Sequence, residues 1–255
     1  MSASFTDQTR FDGKVVLITG GSSGLGAAMA EGFAGQGADL VVSGRRMDRL
    51  EQTAAAVEKL GRRCLPVQAD VSSPEDCERL AEAAIEEFGR LDVLINNAGI
   101  GTANPMTREK PEDFRQVIDI NLNGTYWMSQ SAARRMKPGS NIINISSVLA
   151  TTSTGLPQGA YTASKAAVIG LARDLAVQLT GRKGIRVNAI QPGYFPSEMT
   201  DAQDADFLKR VADRAPAGRL GESSELVNAA IFLASDAASY ITGVSLPVDG
   251  GLLLN

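Results

Sequence analysis

Among its 255 residues the chain has no histidine. That absence removes serine-histidine hydrolase triads, histidine general bases and nearly every common catalytic zinc site, so no metal is expected and proton chemistry must rest on Tyr, Lys, Cys, Asp or Glu. Cysteine is almost as scarce. Cys64 and Cys77 are too few for a disulfide scaffold and lie far from any zinc-like spacing, so both read as structural. No apolar run approaches the length of a membrane span, and the opening MSASFTDQTRFDG has no apolar core like that of a signal peptide. The expectation is a cytoplasmic protein with no membrane partner. Nor is there an excess of basic charge, since a formal net charge of −4 offers no basic surface to nucleic acid.

What is present is an ordinary globular composition, 44% hydrophobic and 21% charged, long enough for a sizeable core. Short β-branched runs begin at Lys14, Asp39, Arg63, Leu91, Asn141, Ile185 and Val244 and alternate with helical patterns that start near Gly24, Met47, Pro74, Pro111, Gly159 and Ser223. Strands that are apolar on both faces and separated by helices predict a parallel sheet covered on both sides. The expected fold is α/β, a doubly wound sheet of about seven strands in a single domain over residues 11–255, preceded by a loose tail over residues 1–10. The Pro- and Gly-rich segment 193–221, with a short charged helix around Asp204 to Asp213, reads as a substrate lid.

Strand one runs into Thr19-Gly20-Gly21-Ser22-Ser23-Gly24-Leu25-Gly26 and then into an apolar helix, which places backbone N–H groups and a helix N-terminus where a pyrophosphate would lie. The spacing differs from the G-x-G-x-x-G fingerprint, and a tight strand-to-helix corner would use glycine in the same way. Where an acidic residue would hold the adenosine ribose, the end of strand two reads Ser43-Gly44-Arg45-Arg46. No carboxylate there repels a 2′-phosphate and two guanidiniums can grip one, so NADP(H) is expected over NAD(H). A solvated basic loop is the plain alternative.

Tyr161 and Lys165 are four residues apart in the helical pattern AYTASKAAVIGLARDLAVQL, so both project from one face. An ammonium near a phenol favours the phenolate and is expected to lower the tyrosine pKa toward a usable proton donor and acceptor. Together with Asn96-Asn97-Ala98-Gly99, Asn121, Ser147 and the glycine turn, in this order, Tyr161-x-x-x-Lys165 makes the chain resemble the short-chain dehydrogenase/reductase family. The resemblance runs from about Phe11 to Val248-Asp249-Gly250-Gly251. Within the family, QGAYTASKAAV and PGYFPSEMT are similar to gluconate 5-dehydrogenase-like and 3-oxoacyl-carrier-protein reductase-like members.

The resemblance implies a Rossmann-type fold and an NAD(P)-dependent oxidoreductase acting on a small-molecule ketone or secondary alcohol. Tyr161 would exchange the proton, Lys165 would lower its pKa and bind the nicotinamide ribose, Ser147 would orient the substrate oxygen, and Asn121 would hold a water in a relay to Lys165. Gly20, Ser22, Ser23, Gly24, Leu25 and Gly26 would cradle the cofactor phosphates. Asp70 and Val71 would flank its adenine, unless Asp70 instead caps the next helix. Asn97, Ala98 and Gly99 would let the backbone pass close to it. Pro192, Gly193, Phe195, Ser197 and Met199 would border the nicotinamide. The interval from Ser147 to Tyr161 is one residue longer than in many members, with Ser146 as the fallback. Leu149, Thr154, Leu156, Tyr194 and Phe207 are further candidates for the substrate pocket. A non-catalytic NADP(H)-binding sensor or scaffold of the same fold is the alternative, and a homotetramer is expected by family analogy.

Overall fold

Seven β-branched runs become seven strands, β1 (Val15–Thr19), β2 (Asp39–Gly44), β3 (Cys64–Gln68), β4 (Val93–Asn96), β5 (Asn141–Ile145), β6 (Arg186–Pro192) and β7 (Ser245–Val248). The computed structural model describes residues 4–197, 200 and 203–254. All strands pair in parallel in the order β3-β2-β1-β4-β5-β6-β7. The central strands are buried along their whole length, as a sheet covered on both faces requires. Alternation along β1 shows the two layers: Val16 and Ile18 pack with Phe33 and Leu226 on one face, Val15 and Leu17 with Leu80 and Met128 on the other.

The helices are α1 (Phe5–Gln8), α2 (Gly24–Gly35), α3 (Met47–Lys59), α4 (Pro74–Phe88), α5 (Pro111–Ile118), α6 (Gly124–Arg135), α7 (Gly159–Lys183), α8 (Ala205–Arg214) and α9 (Ser223–Ala234). Pro74 and Pro111 occupy the first turns expected of them. Within the expected loose tail, α1 is a single turn capped by Ser4 and Asp7. The pattern from Pro111 to Met136 is one rod interrupted by a π-helical turn at Asp119–Asn123. Buried Arg186 donates to the carbonyl oxygens of Leu233, Ser235 and Ile241 at 2.9, 3.0 and 2.9 Å, and Asn141 donates to Ala234 at 2.9 Å. These bonds satisfy the end of α9 and tie it to the sheet.

Connections from β1 lead to β2 on one side of it, while β4 lies on the other. This reversal opens a crevice at the carboxyl ends of β1 and β4, the place where open α/β sheets take ligands.

Candidate active site

A cleft of about 550 Å³ occupies that crevice. One end is the glycine turn, in which Gly20 and Gly24 have φ of 66° and 53°. Gly26 has no room for a side chain, because a Cβ would collide with the Gly20 carbonyl and lie 2.7 Å from Asn97 Nδ2. The turn is stapled to β4. Asn97 Nδ2 donates to the Thr19 and Gly20 carbonyls at 3.1 Å each, and the amides of Asn97 and Ala98 both donate to Thr19 Oγ1 at 3.1 Å. Ser23, the residue before α2, makes no side-chain cap, so the helix N-terminus opens toward the cleft without one. Arg46 reaches across from β2 and donates to Ser23 Oγ at 3.0 Å and Ser22 Oγ at 3.4 Å, while Arg45 lines the same end.

Asp70 and Val71 form the neighbouring wall. Asp70 is not the cap of α4. Its Oδ1 accepts from the Ser72 amide at 3.0 Å and the Ser72 hydroxyl at 2.7 Å, whereas Ser73 caps the helix by accepting from the Asp76 amide at 3.1 Å.

At the other end Ser147, Tyr161 and Lys165 come together. Lys165 is buried, its Nζ donating to the Ile145 carbonyl at 2.8 Å and lying 5.7 Å from the centre of the Tyr161 ring. Burial lowers the lysine pKa to about 8. The expectation that Lys165 by itself depresses the Tyr161 pKa is corrected here. Desolvation raises the phenol above its ordinary value, the Ser147 hydroxyl pulls the other way, and Tyr194 raises it further. The physical reason is that burial disfavours the charged phenolate more than its surroundings favour it.

Ser146 also lines the cleft, but its hydroxyl donates to the Lys165 carbonyl at 2.7 Å. Ser147 starts a short 3-10 turn, accepting from the Leu149 amide at 3.1 Å. Asn121 is fully buried behind the cleft in the π-helical turn, where its amide exchanges two 2.8 Å bonds with the Ile100 backbone and donates to Ser164 Oγ at 3.0 Å. Its side chain is thus spent on fixing the backbone beside Lys165. Gly99 closes this corner: a Cβ there would lie 3.3 Å from both Lys165 Nζ and Asn121 Oδ1.

Pro192, Gly193, Phe195 and Ser197 line the cleft, as do Leu149, Leu156 and Tyr194. Ser197 lies over the glycine turn, a Cβ on Gly24 being 3.5 Å from its Cβ. Phe195 is mostly a core residue, 4% exposed and packed on Gly221. Thr154 and Phe207 stand behind the cleft instead of in it. Thr154 Oγ1 shares a 2.9 Å bond with the Tyr194 hydroxyl, and Phe207 meets the Tyr194 ring edge-on at 5.8 Å. Met199 lies outside the described residues. Sequence reasoning missed Gln158, Thr200 and Gln203, which also line the cleft. Gln158 could have been found from its place three residues before Tyr161, just ahead of α7.

The residues present therefore fit a dinucleotide: a glycine cradle at a helix start, cations beside it, and a buried amine and phenol at the far end. Among the described residues no group of His, Cys, Asp and Glu could hold a metal ion, and no helix is long and apolar enough to cross a membrane.

A family model described as enoyl-(acyl carrier protein) reductase matches residues 20–253. The chain is 38% identical over 247 residues to 3-oxoacyl-[acyl-carrier-protein] reductase FabG of Escherichia coli (strain K12), covering 96% of this chain and 99% of the relative. It is 40% identical over 246 residues to 2-dehydro-3-deoxy-D-gluconate 5-dehydrogenase of Dickeya dadantii (strain 3937), covering 94% and 96%. Among solved structures, a gluconate 5-dehydrogenase from Burkholderia cenocepacia J2315 in complex with NADP and tartrate superposes with a TM-score of 0.93 at 34% identity, covering 99% of this chain and 100% of the other.

Proposed function

Because the chain belongs to the short-chain dehydrogenase/reductase family and is an oxidoreductase of that family, we propose that it interconverts a ketone and a secondary alcohol with NADP(H), Tyr161 carrying the proton. The observation that carries this reading is the convergence of Ser147, Tyr161 and Lys165 at one end of a cleft whose other end is the glycine turn. When bound, the nicotinamide supplies the hydride acceptor or donor. Everything else falls to the chain. The Tyr161 hydroxyl gives its proton to, or takes it from, the substrate oxygen. Ser147 Oγ donates to that oxygen as charge develops on it. Lys165, held by the Ile145 carbonyl, keeps a positive charge next to the phenol and has further N–H groups for the cofactor ribose. Asn121, its side-chain amide bonded to the Ile100 backbone and Ser164 and its carbonyl accepting from Thr125 Oγ1 at 2.8 Å, acts in this reading by fixing the backbone beside Lys165.

NADP(H) is preferred in this reading because Arg45 and Arg46 stand where a carboxylate would refuse the 2′-phosphate, and Arg46 is already oriented by Ser22 and Ser23. The related gluconate 5-dehydrogenase is in complex with NADP, which supports the same choice. The protein is also proposed to form a homotetramer through the outer faces of α5, α6 and α7, where Phe114, Tyr126 and Val177 are exposed.

The test is absorbance of the reduced nicotinamide during a screen of ketones and secondary alcohols with NADPH and NADP. Tyr161→Phe is expected to lower turnover about a hundredfold or more. Near-normal turnover in that variant removes Tyr161 as the proton carrier.

A further inference from the structure

Two glutamine amides line the cleft without a hydrogen bond from either side chain to any described residue, Gln158 just before α7 and Gln203 just before α8. Gln158 is at the reacting end, since a Cβ on Gly101 would lie 3.3 Å from the Tyr161 ring and 3.8 Å from Gln158 Nε2. The Tyr194 hydroxyl, held by Thr154, is a third neutral polar group on this wall, and Leu149 and Leu156 supply the apolar remainder. Each amide has two donors and two acceptor lone pairs, which match hydroxyl groups that both give and accept.

Charge is distributed against an anion. Among the described residues lining the cleft, the cations are Arg45 and Arg46 at the phosphate end and Lys165, which is occupied by the Ile145 carbonyl. Glu198, Met199, Asp201 and Ala202, outside the described residues, add no cation by composition. Arg214, whose field reaches Tyr194, is exposed and donates to the Ser153 carbonyl at 3.2 Å, outside the cleft lining. The start of α7 already faces a carboxylate: Glu109 Oε2 lies 4.0 Å from where a Cβ on Gly159 would be, and its Oε1 accepts from Thr102 Oγ1 at 3.1 Å. A carboxylate substrate would enter this end unpaired and beside like charge.

Resting on the oxidoreductase reading above, we propose that the substrate is an uncharged polyhydroxylated compound, a sugar or sugar alcohol and its carbonyl partner, and that Gln158 selects it by hydrogen-bonding a hydroxyl next to the reacting carbon. In the oxidising direction the carbinol C–H breaks with its electron pair passing as hydride to the oxidised nicotinamide. The O–H proton passes to the Tyr161 oxygen in its phenolate form, restoring the phenol, and a C=O bond is left.

The experiment compares kcat/KM with NADP for three probe sets: neutral aldoses and hexitols (D-glucose, D-galactose, D-sorbitol and 6-deoxyhexoses), the matching aldonates, and cyclohexanol with a straight-chain 2-alkanol. Wild type is expected to favour at least one neutral sugar or hexitol over every aldonate and simple alcohol by about tenfold or more. Gln158→Leu is expected to cut the ratio of kcat/KM for that sugar over cyclohexanol by about tenfold or more, chiefly through KM. Gln158→Arg is expected to shift preference toward the matching aldonate, which keeps the test open should the leucine variant fold poorly. An aldonate or simple alcohol preferred by wild type, or a sugar-to-cyclohexanol ratio unmoved in Gln158→Leu, overturns the substrate assignment while leaving the oxidoreductase reading in place. No absorbance change with any probe or any ketone overturns both.

Discussion

Lys165 shows why a residue's type and spacing do not disclose its ionisation. The four-residue offset from Tyr161 was legible, yet its pKa of about 8 comes from burial that only packing creates. The sign for stability follows directly. Below pH 8 both folded and unfolded chains hold the proton, and the folded state bears the full burial penalty, about 3 kcal/mol for a shift of this size. Between about 8 and the ordinary 10.5 the unfolded chain holds a proton that the folded chain has lost, so stability rises with pH. The melting temperature of the wild type minus that of Lys165→Met is therefore expected to climb from pH 8 to 10. A difference that stays flat rejects the buried, discharging amine.

Arg46 makes a second prediction at this scale. Its bonds to Ser22 and Ser23 pre-orient a guanidinium at the phosphate end. Arg46→Asp is expected to lower kcat/KM for NADP about ten- to hundredfold relative to NAD, the size of a lost charge-assisted bond. An unchanged ratio would mean that Arg46 does not read the 2′-phosphate.

At the scale of elements, the glycine turn and the π-helical turn behave differently as sequence signals. Gly20, Gly24 and Gly26 announce a strand-to-helix corner in the sequence. Their distinct burdens do not: Gly24 needs a positive φ but a Cβ there would make only an ordinary 3.5 Å contact with Ser197, while a Cβ on Gly26 would be pressed against the Gly20 carbonyl and the Asn97 amide. Gly26→Ala is accordingly expected to force the turn open, costing on the order of 1–3 kcal/mol in a denaturant titration and weakening cofactor binding. Wild-type stability and cofactor affinity in that variant would contradict the packing described. The π-helical turn was invisible, because the apolar pattern from Pro111 to Met136 is continuous and one inserted residue barely disturbs it. It is this turn that carries Asn121 to the Ile100 backbone.

For the whole molecule, the outer faces of α5, α6 and α7 leave Phe114, Tyr126 and Val177 exposed, Val177 by 82%. Association through those faces would remove them from water. Light scattering is expected to report four copies, and a monomeric mass at micromolar concentration would exclude the assembly.

The strand and helix order and the doubly wound class were determined by sequence alone, because hydrophobic periods of two and 3.6 are local properties, while Tyr161 and Lys165 stood out by their four-residue spacing and Ser147 by the family resemblance. Only the tertiary structure decided that the Ser146 hydroxyl is taken up by the Lys165 carbonyl, that the Asn121 amide is occupied, that Asp70 does not cap α4, and that burial raises the Tyr161 pKa. Each of those depends on groups brought together from distant segments, and neither dielectric surroundings nor hydrogen-bond partners are written in the order of residues.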